Sequence, residues 1–231
     1  MFVSLLLLLV SIVALYFFIS PKTIPNILIS KQFVPLVFND KVSLVDISGL
    51  RKEYVIKKIL DTTNASKLKD GGVEGVYLTV DKVPVGLRKF IEILEGGFIP
   101  GDQDLVEDNF LIGIVKNKSQ NNELASQNIF ILLKTRYIAD IFDALKDWEK
   151  KMFLDLHGFF GVEISPETKY LLTKEFEDDI VENKNARILY DKERNIIMMY
   201  VFADDNSVVV ANSRDATREI IQRLASSSVS K

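Results

Sequence analysis

The chain has 231 residues, with 29 Lys and Arg against 32 Asp and Glu, a net charge of −3, one histidine and no cysteine. Lack of cysteine excludes a disulfide scaffold, an iron–sulfur cluster, a thiolate zinc site and a cysteine nucleophile, and the lone His157 excludes any centre needing two imidazoles. The near-neutral balance argues against bulk electrostatic binding to nucleic acid, which needs a strongly basic face.

Phe2 to Ile19 is apolar apart from Ser4 and Ser11 and carries no charge. A helix of this length spans about 27 Å, enough for a bilayer core. Backbone groups in lipid must bond internally, so a spanning run must be helical. Residues 1–20 therefore read as a transmembrane anchor, with Phe2, Leu5, Leu9, Ile12, Leu15 and Phe18 among its embedded side chains. A cleaved signal peptide fits less well. No Lys or Arg precedes the run, and the exit Phe18-Ile19-Ser20-Pro21 puts a bulky residue where a small one is needed. Lys22 and Lys31 follow the run, which by the positive-inside rule favours a cytoplasmic domain; a basic tail upstream of Met1 would reverse that count.

Residues 21–39 hold three prolines and read as an extended juxtamembrane connector. Residues 40–231 read as a soluble α+β domain, with possible subdomains 40–100 and 101–231. Val42–Ile47 predicts a strand, and Ser48 a cap for a helix from about Leu50, with Tyr54, Val55, Ile59 and Leu60 on its apolar side. Val73–Val80 predicts a second strand. Leu87, Phe90, Ile91 and Leu94 give helical spacing, ended by Gly96-Gly97. Two apolar strands follow, Asn109–Asn117 and Asn128–Lys134. The strongest helix signal is the stripe Tyr137, Ile138, Ile141, Phe142, Leu145, Trp148, Met152, Phe153 and Leu156, with Asp140, Asp143, Lys146, Asp147 and Lys150 largely opposite. Ser165-Pro166-Glu167 reads as a helix start running through Leu172. Ala186–Asp191 and Ile196–Ala203 predict a hairpin, Ser207–Asn212 a strand, and Ser213 the cap of a last helix carrying Ala216, Ile220 and Leu224. Hairpins imply mostly antiparallel pairing with packed amphipathic helices. Two strand–strand–helix stretches, entered through Thr135-Arg136 and Ser213-Arg214, suggest two ββα-type repeats.

No motif here assembles a catalytic, metal or cofactor site. His157 at the end of a helix is a candidate proton shuttle but reads better as a plain terminal residue. Glu175, Glu177, Asp178 and Asp179 form an acidic stretch that is a candidate for carboxylate chemistry. Adjacent strand residues point to opposite faces, so the stretch reads better as a solvated turn or edge strand. Arg136 and Arg214 sit at helix starts, where an anion could be held. No phosphate loop, calcium loop or Gly-x-Ser-x-Gly elbow is present. Phe98 and Ile99, and Phe159 and Phe160, lie outside periodic elements. They read either as core plugs or as an exposed contact surface.

The segments DNFLIGIV, WEKKMFLDLHGFF, GVEISPETKYLLTKEFEDD and NKNARILYD resemble an uncharacterised family of single-pass, membrane-anchored bacterial proteins. The resemblance covers most of the chain after the anchor. It implies a membrane location with the domain on the extracytoplasmic side, and it brings no activity or site residue. The sequence thus leads to a bitopic protein whose partners are the bilayer and a protein of the membrane or envelope. An envelope hydrolase using carboxylates and a ligand-binding or sensor domain are the alternatives.

Overall fold

The computed structural model describes residues 35–98, 105–116, 128–136 and 138–228. The anchor at 1–20, most of the connector and Ile99 lie outside the described residues. No helix among the described residues is long and apolar enough to cross a membrane.

The fold is α+β. In chain order it runs β1 (Lys41–Asp46), α1 (Lys52–Asn64), β2 (Val73–Val80), β3 (Val83–Pro84), α2 (Leu87–Ile93), β4 (Val106–Val115), β5 (Asn128–Thr135) and α3 (Ile138–Leu156). A 3₁₀ turn at Lys169–Leu172 leads to β6 (Glu177–Val181), β7 (Lys184–Tyr190), β8 (Ile196–Asp204), β9 (Ser207–Ala211) and α4 (Arg214–Ser228). The strands form one sheet in the order β1-β2-β4-β5-β9-β8-β7-β6, with β3 paired to β2. Among the described residues only β1 and β2 are parallel, as the α1 crossover between them requires. Every other pairing is antiparallel.

Alternation along the strands sends side chains to two faces, and both faces of the central strands are buried. One face carries Ile112, Ile131, Leu133, Tyr200 and Val210 and is covered by α1, α2 and α3. The other carries Leu111, Phe130, Leu132 and Val209 and is covered by Ala216, Ile220 and Leu224 of α4. Each fully buried aliphatic or aromatic side chain contributes about 1.5–3 kcal/mol. Residues 40–100 and 101–231 share this construction, since β2 pairs with β4 and α1 and α3 bury side chains in the same core. At the β2–β4 contact a Cβ on Gly113 would lie 2.5 Å from the Phe130 ring and 2.6 Å from the Glu74 carbonyl oxygen, so no larger residue fits there.

The two hairpin-plus-helix stretches are β4-β5-α3 and β8-β9-α4, with β5 beside β9. A rotation exchanging two antiparallel neighbours keeps their helices on one face. Here α3 and α4 lie on opposite faces, so the two units are not rotational equivalents.

Helix starts differ in chemistry. Ser213 caps α4 by accepting the Ala216 N–H. Ser48 does not cap α1. That helix begins at Lys52 after Arg51, without a side-chain cap. The Ser48 hydroxyl instead donates to Asp46 and accepts the Asp81 N–H, tying the end of β1 to the β2–β3 turn.

Candidate functional site

Phe98, Phe159 and Phe160, for which the sequence allows either core plugs or a contact surface, are core. Each is at most 3% exposed. Phe98 stacks 4.6 Å from Trp148, and Phe159 meets Phe90 edge-on. The hydrogen bond from the Phe159 N–H to the Leu156 carbonyl turns the chain inward just after α3. Buried Asp155 fixes the neighbouring loop. It accepts the Trp148 indole N–H at 2.7 Å and the Gly97 N–H at 2.6 Å, giving the indole the polar partner that burial demands.

The acidic stretch forms the edge strand β6. Its side chains alternate as a strand requires, with Asp178 towards the α3 face and Glu177 and Asp179 towards the α4 face. Each meets an arginine. Arg194 binds Glu177 at 2.6 Å, Arg187 binds Asp178 at 2.9 Å, Arg214 binds Asp179 at 2.7 Å, and in the β6–β7 turn Arg218 binds Glu182 at 2.8 Å. The hydroxyl donated by Tyr190 holds the Asp179 carboxyl below the usual range, helped by the Ile180 N–H and Arg214 and opposed by burial. A carboxylate so held is a poor general acid. Glu175 is exposed just ahead of the strand.

The most buried of these arginines, Arg187, continues inward. Arg187 donates Nε and Nη2 to the two oxygens of Glu149 on α3, both at 2.8 Å, and the Tyr200 hydroxyl donates to the same carboxylate at 2.6 Å. Arg187 and Glu149 are only 12% and 11% exposed. Hydrogen bonding to Glu149 raises the Arg187 pKa against the effect of burial, and burial followed by the Glu149 contact raises that of Tyr200. Two open clefts of about 640 and 570 Å³ flank Arg187. Its three nitrogens already donate to Glu149 and Asp178, so the guanidinium acts as a clamp rather than as a receptor for an incoming anion. Glu149 had a signature in the sequence: it follows Leu145 by four and precedes Met152 by three, on the apolar stripe of α3. Arg187 likewise shares an inward face with Leu189.

His157 places Nδ1 2.7 Å from the Val162 carbonyl and serves the turn after α3. Arg214 is engaged by Asp179 and the Ile180 carbonyl. Among the described residues no group of three His, Cys, Asp or Glu is placed to hold a metal ion.

β1 ends the sheet on its other side. Leu44 is 73% exposed, Phe38 70% and Val42 53%. Val42 and Leu44 point to the face that α4 covers farther along, but α4 packs over β4, β5, β8, β9 and β6 and leaves them open. Behind this edge the inner face is polar and closed. The fully buried Glu74 carboxylate accepts from Ser43, Ser66 and Lys41. Burial alone would raise its pKa, but these three donors hold it below the usual range. No family model matches the chain, and neither does a curated protein or a solved structure.

Proposed function

We propose that this is a bitopic membrane protein that holds its α+β domain on the extracytoplasmic side and offers the β1 edge to a protein partner of the membrane or envelope. The uncharged run at 2–19 supports the anchor. The open β1 edge carries the interaction reading. An unpaired strand exposes backbone donors and acceptors, and Val42 and Leu44 add side chains for an incoming strand to cover. A photo-crosslinking residue at Leu44 of the full chain, activated in intact cells, should trap a heavier adduct, and the same residue at Ile180 on β6 should not. Recovery of free monomer alone from the Leu44 variant would count against the reading.

A further inference from the structure

We propose that the outer side of α1 rests on anionic lipid headgroups. Tyr54, Lys57 and Lys58 lie three and four residues apart and are all exposed, while Val55, Ile59 and Thr63 turn into the core. The outward side therefore carries an aromatic ring, 63% exposed, and two ammonium groups, beside the exposed Glu53 and Asp61; with Arg51 and Lys52 at the helix start the segment 51–61 keeps four cations against two carboxylates. Tyrosine suits the boundary between headgroups and acyl chains, and lysine reaches phosphate from a long apolar stem. Lys58 is further fixed at the rim of the sheet by its hydrogen bond to the Asp46 carbonyl of β1.

Charge is segregated along the chain in the same sense. Residues 41–70 carry seven Lys and Arg against four Asp and Glu, whereas residues 71–231 carry 20 against 27. A chain that is acidic as a whole thus has a basic stretch, and it covers the first described strand and helix, β1 and α1. Of the ten exposed large hydrophobics among the described residues, five fall between Phe38 and Val83. Basic and apolar groups along one stretch match an anionic bilayer surface, where each Lys or Arg adds attraction within a Debye length. Nucleic acid would demand a far larger basic excess. The inference draws on the anchor reading only for the nearness of a bilayer.

The chain has no cysteine, so a Tyr54→Cys variant takes a single environment-sensitive fluorophore. The labelled full chain is reconstituted in phosphatidylcholine vesicles with or without phosphatidylglycerol. Emission at position 54 should rise about twofold with phosphatidylglycerol and fall back when salt is raised. A label at Glu193, in the β7–β8 turn, should not respond. The added changes Lys57→Glu and Lys58→Glu should abolish the response at 54. Equal emission in the two vesicle types, an equal response at Glu193, or a response that survives both charge reversals would overturn the proposal. Flotation of the same samples reports the anchor separately. A chain that floats without brightening sinks the headgroup contact alone, and one that brightens without floating sinks the anchor alone.

Discussion

β6 ends the sheet with carboxylates each held by an arginine, whereas β1 ends it with exposed Val42 and Leu44 and, among the described residues, no strand beside them. Both strands have the same backbone problem, a row of donors and acceptors with no neighbour. At β6, charge on both faces makes an incoming strand desolvate ion pairs before it can bond. At β1 the α4-side face holds one ion pair at its start, Asp40 with Arg223, but Val42 and Leu44 themselves stand clear of charge pairs, and the polar group behind them, Glu74, is satisfied internally. One edge is closed by chemistry and the other is left available.

The largest effect should come from the closed edge. Arg187→Ala strands the Glu149 carboxylate in a nearly buried position and should cost about 3 kcal/mol in urea unfolding. Glu149→Leu combined with Arg187→Met, which removes both charges, should recover most of that loss. If the single and double variants are equally unstable, the pair is not what secures this side. At the β1 side, Glu74→Gln should cost about 2 kcal/mol at neutral pH. The folded Glu74 carboxyl is held below its ordinary value. It therefore stabilises the fold above the unfolded pKa, and that contribution fades as pH falls below about 4 through the folded pKa. The variant should consequently lose less stability than the parent between neutral and acid pH, a difference that parallel urea titrations would measure. Smallest in stability is Leu44→Lys, expected within about 0.5 kcal/mol of the parent because the side chain already faces solvent. The same change should nonetheless remove the Leu44-side partner adduct, detected with the crosslinking residue moved to Val42. A destabilised Leu44→Lys would mean the edge is already part of the fold's own packing.

Much of this architecture was legible from local pattern. Val73–Val80 has the residues of a buried strand and is one, with the same bounds. The α3 stripe and the Ser213 cap are equally local signals. β6 was harder to see, because EDDIV has the composition of a turn. It becomes a strand only when four arginines from β7, the β7–β8 turn and α4 neutralise the acidic groups of β6 and its turn. Ser48 failed as a cap for a similar reason, since Asp46 and the Asp81 N–H compete for its hydroxyl. Phe159 and Phe160 have no periodicity to reveal that a turn folds them under α3. The Glu149–Arg187–Tyr200 cluster needs three elements distant in sequence to meet, and only the two polar residues at inward positions hinted at it. The exposure of Val42 and Leu44 depends on where α4 stops, which no local pattern encodes.

The position of β9 has a consequence for how the chain comes to be folded. It lies between β5 and β8, so that Ile131 pairs with Val210 and Tyr200 with the same residue from the other side. During synthesis the β4–β5 hairpin is complete long before β9 exists, and the apolar rim of β5 must wait unpaired. Long-range closure of this kind is slow and leaves intermediates prone to association. The final helix then fastens the last stage to the first, as Arg223 reaches the Phe38 and Gly71 carbonyls and the Asp40 carboxylate. Nascent chains that stop short of residue 211 would therefore carry an open rim in the middle of the sheet, and they are the species most dependent on chaperones.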